Sequence, residues 1–346
     1  MGYLSPMLAE LRDARLWARP ITARRAGNAY RLWSSFREAK HTKLPRITGM
    51  PFSISMEPTT ACNLRCPECP SGLRSFTRPT GNLKGDLFRQ VIDDLADDLW
   101  ALTFYFQGEP YINPGFLDMV RHASAKGIYT NTSTNGHFLT EGKAEETVRS
   151  GLSRLIISLD GTDQETYSAY RREGHLSKVI EGAERVVRWK KKLKSRTPHI
   201  VFQFLVVKPN EHQVPEARAL AKRIGVDDLW LKTAQIYEPK DDHPLIPEQD
   251  KYSRYKRNAN GVWGVKNALH DHCWKMWHSC VVTWDGKVVP CCFDKDARWV
   301  LGDLGRQSFR EIWQGEAYTA FRSGLLHGRE HIEMCRNCSE GSPVWA

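Results

Sequence analysis

Between residues 50 and 238, short apolar runs alternate with longer stretches in which apolar residues recur every three or four positions. Runs bounded by turn residues predict strands, and the longer period predicts amphipathic helices. The strands expected are Phe52 to Met56, Leu102 to Phe106, Ile128 to Ser133, Leu155 to Leu159, Ile200 to Val207 and Leu229 to Thr233. Helices are expected near Leu87 to Leu99, Pro114 to Ala125, Glu141 to Ser150, Leu176 to Leu193 and Val214 to Ile224. Strand and helix in alternation imply parallel strands joined by crossover helices, an α/β fold closing into a partial barrel. In such sheets ligands bind beyond the carboxyl ends of the strands.

The flanks follow different patterns. Residues 1–48 read as a helical extension in which Leu4, Leu8, Leu11, Leu16 and Trp17, then Tyr30, Leu32, Trp33 and Phe36, interleave with basic residues around a break at Pro20. Residues 49–238 form the barrel, and 239–270, rich in Pro and charge at the start, read as a linker. Residues 271–346 form a small cysteine-bearing module in which Trp284 to Cys292 predicts a hairpin turning at Asp285-Gly286. A helix from Phe309 to Phe321 follows.

Composition narrows the function classes. With 41% hydrophobic and 26% charged residues in 346, the chain reads as globular. It has no apolar run of membrane-spanning length and no signal-peptide core, so a cytoplasmic location is expected. Residues 1–46 hold ten Lys and Arg against three Asp and Glu, which accounts for seven of the net ten positive charges. That end suits a solvated basic face packed on the barrel, with peripheral contact to anionic lipid or to an acidic peptide or RNA as the functional readings. The barrel itself lacks a basic aromatic stripe, so no nucleic-acid partner is expected.

Nine cysteines without a secretory signal favour metal ligation over disulfides. Cys62, Cys66 and Cys69 stand at C-x3-C-x2-C spacing after the first strand. Structural zinc and 4Fe-4S sites normally take four protein ligands, so three thiolates suggest a cluster with one iron left for a reacting ligand. A zinc site completed by a distant histidine is the competing reading. Three later strand ends carry residues suited to a polar cofactor: Gly108 and Glu109, Ser133 and Asn135, and Ser158 and Asp160. Each dipeptide alone also reads as an ordinary turn. Gln203, Lys208, Asn210, Lys232 and Gln235 lie in or after the last two strands.

At these residues the chain resembles the radical S-adenosylmethionine (SAM) superfamily, whose signature is this cysteine loop. The resemblance implies a partial (β/α)6 barrel and a 4Fe-4S cluster held by Cys62, Cys66 and Cys69. On that cluster SAM is cleaved reductively to a 5'-deoxyadenosyl radical, which abstracts hydrogen from substrate. It also implies SAM contacts from Gly108, Glu109, Ser133, Asn135, Ser158 and Asp160, and a reductant such as flavodoxin or ferredoxin. Two positions depart from the family pattern, Glu68 where an aromatic residue is usual and Gln107 where the first Gly of a Gly-Gly-Glu motif is usual.

A second set comprises Cys273, then Gly286 and Cys291 at G-x4-C spacing, then Cys335 and Cys338 as C-x2-C. Spacing alone fits zinc or 4Fe-4S. The pattern resembles the C-terminal SPASM and shortened twitch modules, which implies one auxiliary 4Fe-4S cluster on these four cysteines. Cys280 and Cys292 remain, read as buried thiols. The expected activity is oxidation or bond formation on a peptide or small molecule, with the auxiliary cluster accepting an electron. Epimerisation with Cys280 or Cys292 as hydrogen donor, and a zinc-stabilised nucleic-acid binding protein, are the alternatives.

Overall fold

The computed structural model describes residues 6–338. The chain runs α1 (Pro6–Ala18), α2 (Ala23–Thr42), β1 (Ser53–Met56), α3 (Pro70–Leu73), α4 (Gly85–Leu95), β2 (Ala101–Thr103), α5 (Phe116–Ala125), β3 (Tyr129–Thr134), α6 (Glu141–Arg149), β4 (Arg154–Ser158), α7 (Gln164–Tyr170), α8 (Leu176–Lys192), β5 (His199–Val206), α9 (Val214–Ile224) and β6 (Asp228–Thr233). Then come β7 (Tyr255–Arg257), β8 (Trp263–Val265), α10 (Lys275–His278), β9 (Ser279–Val282), β10 (Lys287–Val289), β11 (Gly302–Asp303), α11 (Phe309–Gln314), α12 (Glu316–Gly328) and α13 (Glu333–Arg336).

Strands β1 to β6 lie side by side in sequence order, every neighbour parallel. Their outward residues Ile54, Leu102, Ile157, Phe202 and Phe204 share one core with helix residues such as Val91, Val120, Val148, Val186 and Ala217. Local signals bound the helices, including the short α7, which the sequence pattern did not predict. Thr140 and Asp163 cap α6 and α7 by accepting from the N–H of Lys143 and Thr166. Gly225 ends α9 in the left-handed region at φ 84°.

The sheet extends beyond six strands. β9 pairs parallel with β1, Ser53 opposite Ser279 and Met56 opposite Val282, and β10 and β11 follow antiparallel. The order is β11-β10-β9-β1-β2-β3-β4-β5-β6. The C-terminal hairpin thus covers the β1 edge and turns at Asp285-Gly286, with Gly286 at φ 84°. The helix expected from Phe309 to Phe321 is broken at Gly315, where a Cβ would lie 2.6 Å from the Glu311 carbonyl oxygen. Residues 239–270, expected as a linker, carry the β7–β8 hairpin and pack down: the Tyr255 hydroxyl accepts from the Ile236 N–H (2.7 Å), and Glu211 accepts from the N–H groups of Glu248 and Gln249.

Helices α1 and α2 close the end of the barrel where the strands begin. Arg25, buried, donates to the carbonyls of Pro20, Ala96, Lys126 and Gly127. Asn28 and Met50 exchange two hydrogen bonds, Asp13 accepts from Tyr129 and Arg154, and Arg12 pairs with Asp227 at 3.1 Å. Arg25→Met strands several partly buried carbonyls without a donor, at roughly 1–3 kcal/mol. Thermal unfolding of the variant is expected at a lower midpoint, while the exposed control Arg19→Met is unchanged.

Candidate functional site

The carboxyl ends of β1 to β4 surround a cavity of about 200 Å³. Cys62, Cys66 and Cys69 line it together with Gly108, Glu109, Ser133, Thr134, Asn135 and Ser158. Five of the six residues singled out at the later strand ends therefore meet the three thiols. The sixth, Asp160, lies behind the wall. Fully buried, its carboxylate accepts from the Leu205 N–H (2.7 Å) and from the Arg171 guanidinium. Arg171 in turn lines the cavity and points toward Cys66 at 3.7 Å.

The loop is held by its backbone. The Cys69 N–H donates to the Cys66 carbonyl (3.3 Å), the Leu73 N–H to the Cys69 carbonyl (2.8 Å), and α3 begins at once. Asn135 Nδ2 reaches Asn63 Oδ1 at 2.7 Å and Cys62 Sγ at 3.9 Å. Gly108, at φ 73°, packs so close that a Cβ would stand 2.3 Å from the Thr59 carbonyl oxygen and 2.8 Å from that of Ala61. Its N–H donates to Ser71 at 2.9 Å. Behind the loop, Glu57 is wholly buried in a two-point pair with Arg78 (2.6 and 2.7 Å), which ties the segment after the cysteines to the end of β1.

Electrostatics suit bound metal. Burial pushes the Cys62 thiol up to about 12 and lifts Cys66 as well, so these sulfurs ionise only against a cation brought to them. Among the described residues no three Cys, His, Asp or Glu side chains converge to hold a single metal ion. The thiols instead border a space with volume, which fits a cluster. Glu109 is also fully buried and accepts from Thr134 Oγ1 (2.7 Å), the Asn135 N–H (2.7 Å) and the Tyr111 N–H (3.3 Å). Burial outweighs these bonds and raises its carboxyl to about 7.

Cys273, Cys291, Cys335 and Cys338 line a second cavity with Met276, Phe293, Phe321, Leu325 and Arg329. Burial lifts the thiols of Cys273, Cys291 and Cys335. Cys280 and Cys292 lie outside it. Cys280 is buried in β9, and Cys292 is half-buried with Lys275 Nζ 3.6 Å from its sulfur. The two cavities are joined by the loop after Cys291. Cys292 and Ala297 pack with Phe106, which lines the first cavity, and the Thr77 N–H donates to Asp296 at 2.9 Å.

Several of these residues carry no sequence signal. Arg171 follows a short helix without a motif, and Ser71 and Thr134 are single hydroxyls. Lys295 lies on the joining loop, its ammonium 4.7 Å from the Tyr237 ring and its pKa lowered by burial. Gln203 lies in β5, where it pairs with Ser158, and Asn210 turns inward to the carbonyls of Asp160 and Leu205.

Comparison with known proteins agrees with this geometry. Residues 56–217 match the radical SAM superfamily profile, and residues 273–339 match SPASM, an iron-sulfur cluster-binding domain. The chain belongs to the radical SAM superfamily and carries a C-terminal SPASM domain. SAM, its 4Fe-4S cluster and auxiliary Fe-S ligation therefore belong to this chain. It is 27% identical to the tungsten-containing aldehyde ferredoxin oxidoreductase cofactor-modifying protein of Pyrococcus furiosus, over 83% of this chain and 86% of that one. It is 25% identical to the PqqA peptide cyclase of Bradyrhizobium diazoefficiens, over 84% and 79%. In fold it is similar to SuiB of Streptococcus suis, with TM-score 0.62 and 13% identity over 90% of this chain and 79% of that one. It is also similar to anSMEcpe with bound AdoMet and a peptide, with TM-score 0.60 and 17% identity over 86% and 92%.

Gly108→Ala forces the new methyl into the Thr59 carbonyl and moves the loop that carries Cys62. Anaerobically purified variant is expected to hold less iron than the parent, because the loop that carries Cys62 is displaced.

Proposed function

We propose that this chain is an oxidative radical SAM enzyme acting on a peptide, in which hydrogen abstraction is followed by transfer of one electron to an auxiliary cluster. When bound, SAM and its cluster supply one-electron cleavage of a sulfonium bond and with it a hydrogen-abstracting radical. Cys62, Cys66 and Cys69 hold that cluster, and Glu109 receives the SAM amino group beside the backbone of Gly108. Ser133, Asn135 and Ser158 offer hydroxyl and amide groups to the rest of the cofactor, and Asp160 positions Arg171 against the Cys66 sulfur. Outside the cytoplasm cysteines held in no disulfide would be prone to oxidation, so a cytoplasmic enzyme fed by flavodoxin or ferredoxin is the consistent setting.

The observation that carries the oxidative reading is that four thiols, Cys273, Cys291, Cys335 and Cys338, line one cavity. Four protein ligands leave no position open for substrate, which favours electron acceptance over substrate binding. A substrate that gives up a hydrogen atom, an electron and a proton is oxidised by two electrons. The peptide reading rests on relatives of similar length, among them the PqqA peptide cyclases.

Two measurements test this. Cys335→Ala is expected to retain 5'-deoxyadenosine formation from SAM and dithionite while losing the product two hydrogens lighter than the substrate peptide. Undiminished product would overturn the electron-acceptor role. For Glu109, a carboxyl raised to about 7 must release its proton before it can pair with the SAM ammonium. SAM affinity is therefore expected to rise as pH increases from 6 toward 7. Glu109→Gln should flatten that profile and weaken binding roughly tenfold or more, as read by equilibrium dialysis.

A further inference from the structure

The end of the barrel away from the cysteines is covered by α1 and α2, and its outer surface has a character the enzyme chemistry does not use. On α2 the buried residues are Arg25, Asn28, Leu32, Ser35 and Ala39, one stripe at spacings of three and four. Tyr30, Trp33 and Arg37 repeat that spacing on the opposite side, so they point directly away from the protein. Tyr30 is 65% and Trp33 44% exposed. Their rings lie 5.9 Å apart, and the Arg37 guanidinium sits 5.1 Å above Trp33. Six of the twelve exposed large apolar side chains among the described residues fall between Leu11 and Leu44, a concentration that packing on the barrel does not require.

Exposed charge on the two helices adds to this. Arg15, Arg19, Arg31, Arg37, Lys40 and Lys43 are exposed and make no ion pair among the described residues. Of the three acids in this segment, Asp13 is turned inward to Tyr129 and Arg154. A convex helical face with outward Trp and Tyr among unpaired Arg and Lys matches the interface of an anionic bilayer, where amphipathic rings sit at headgroup depth and basic residues meet phosphate. A second copy docked by two-fold symmetry would set one basic face against another. A peptide would need a groove, and both cavities described above lie elsewhere. Single-stranded nucleic acid would need open ring faces, and Arg37 covers one face of Trp33.

We infer that the α1–α2 face docks peripherally on an anionic membrane surface, with Tyr30, Trp33 and Arg37 as its contact stripe. No helix among the described residues is long and apolar enough to cross a membrane, so attachment is by this face alone. Docked in this way, the barrel mouth with Cys62, Cys66 and Cys69 faces away from the bilayer and stays open to a soluble substrate and reductant.

Sedimentation of the full-length, anaerobically purified enzyme with vesicles tests this. Vesicles of phosphatidylcholine containing one third phosphatidylglycerol are expected to carry the protein down, phosphatidylcholine alone is not, and added salt should release it. The triple variant Tyr30→Ser, Trp33→Ser, Arg37→Glu is expected to bind at least about tenfold more weakly. Its thermal midpoint and 5'-deoxyadenosine formation should be little changed, because these side chains are exposed on α2 and line neither cavity. The proposal is overturned by absence of binding to anionic vesicles, by equal binding to neutral ones, or by equal binding of the variant. Retention on RNA or on an acidic peptide without vesicle binding would likewise overturn it and reassign the face.

Discussion

The ladder between β1 and β9 is the contact on which the two thiol sets depend. One end of β1 feeds directly into the loop of Cys62, Cys66 and Cys69. Its free edge takes β9, whose flanking segments carry Cys273 and Cys291. Glu57 extends the ladder by donating its N–H to the Val282 carbonyl at 2.9 Å, and its side chain grips Arg78. A shift of one residue in this pairing would turn the wholly buried Ile54 and Met56 out of the core, so burial of β1 fixes the register. The relative placement of the two sites is thus set by four paired residues and the core behind them.

Around that ladder the chemistry is divided by depth. Cys62 and Cys69 are partly accessible at the cavity wall, whereas Glu109 and Asp160 are buried and tied down by two or more hydrogen bonds each. The buried groups fix the orientation of what faces the cavity. Arg171 is the clearest case, its guanidinium aimed at Cys66 because Asp160 holds the other side. A hydrogen-abstracting site needs such rigid walls, since a loosely held reactive species attacks its surroundings.

Much of this was legible in the amino-acid order. The six barrel strands fall within a few residues of expectation because buried parallel strands are short apolar runs set between strongly amphipathic helices. Both cysteine sets were visible from spacing, and Gly108 with Glu109 from their place after a strand. What escaped was non-local. Ser279–Val282 is too short to announce a partner, and its partner β1 is more than two hundred residues earlier. Asp160 was expected at the cavity, but its charge is spent on Arg171, which no motif marked. The linker reading of 239–270 followed from Pro and charge and had no access to the tertiary bonds of Tyr255 and Glu211.

The C-terminal hairpin also bears on how the protein survives in the cell. Four thiols line one cavity of that module, and metal binding to a cysteine-lined module contributes to its folding free energy. If iron is scarce and the module loosens, β1 loses its neighbour and presents unpaired N–H and C=O groups along a sheet edge, the template on which chains aggregate. By covering that edge, the hairpin ties the solubility of the barrel to the integrity of the C-terminal module.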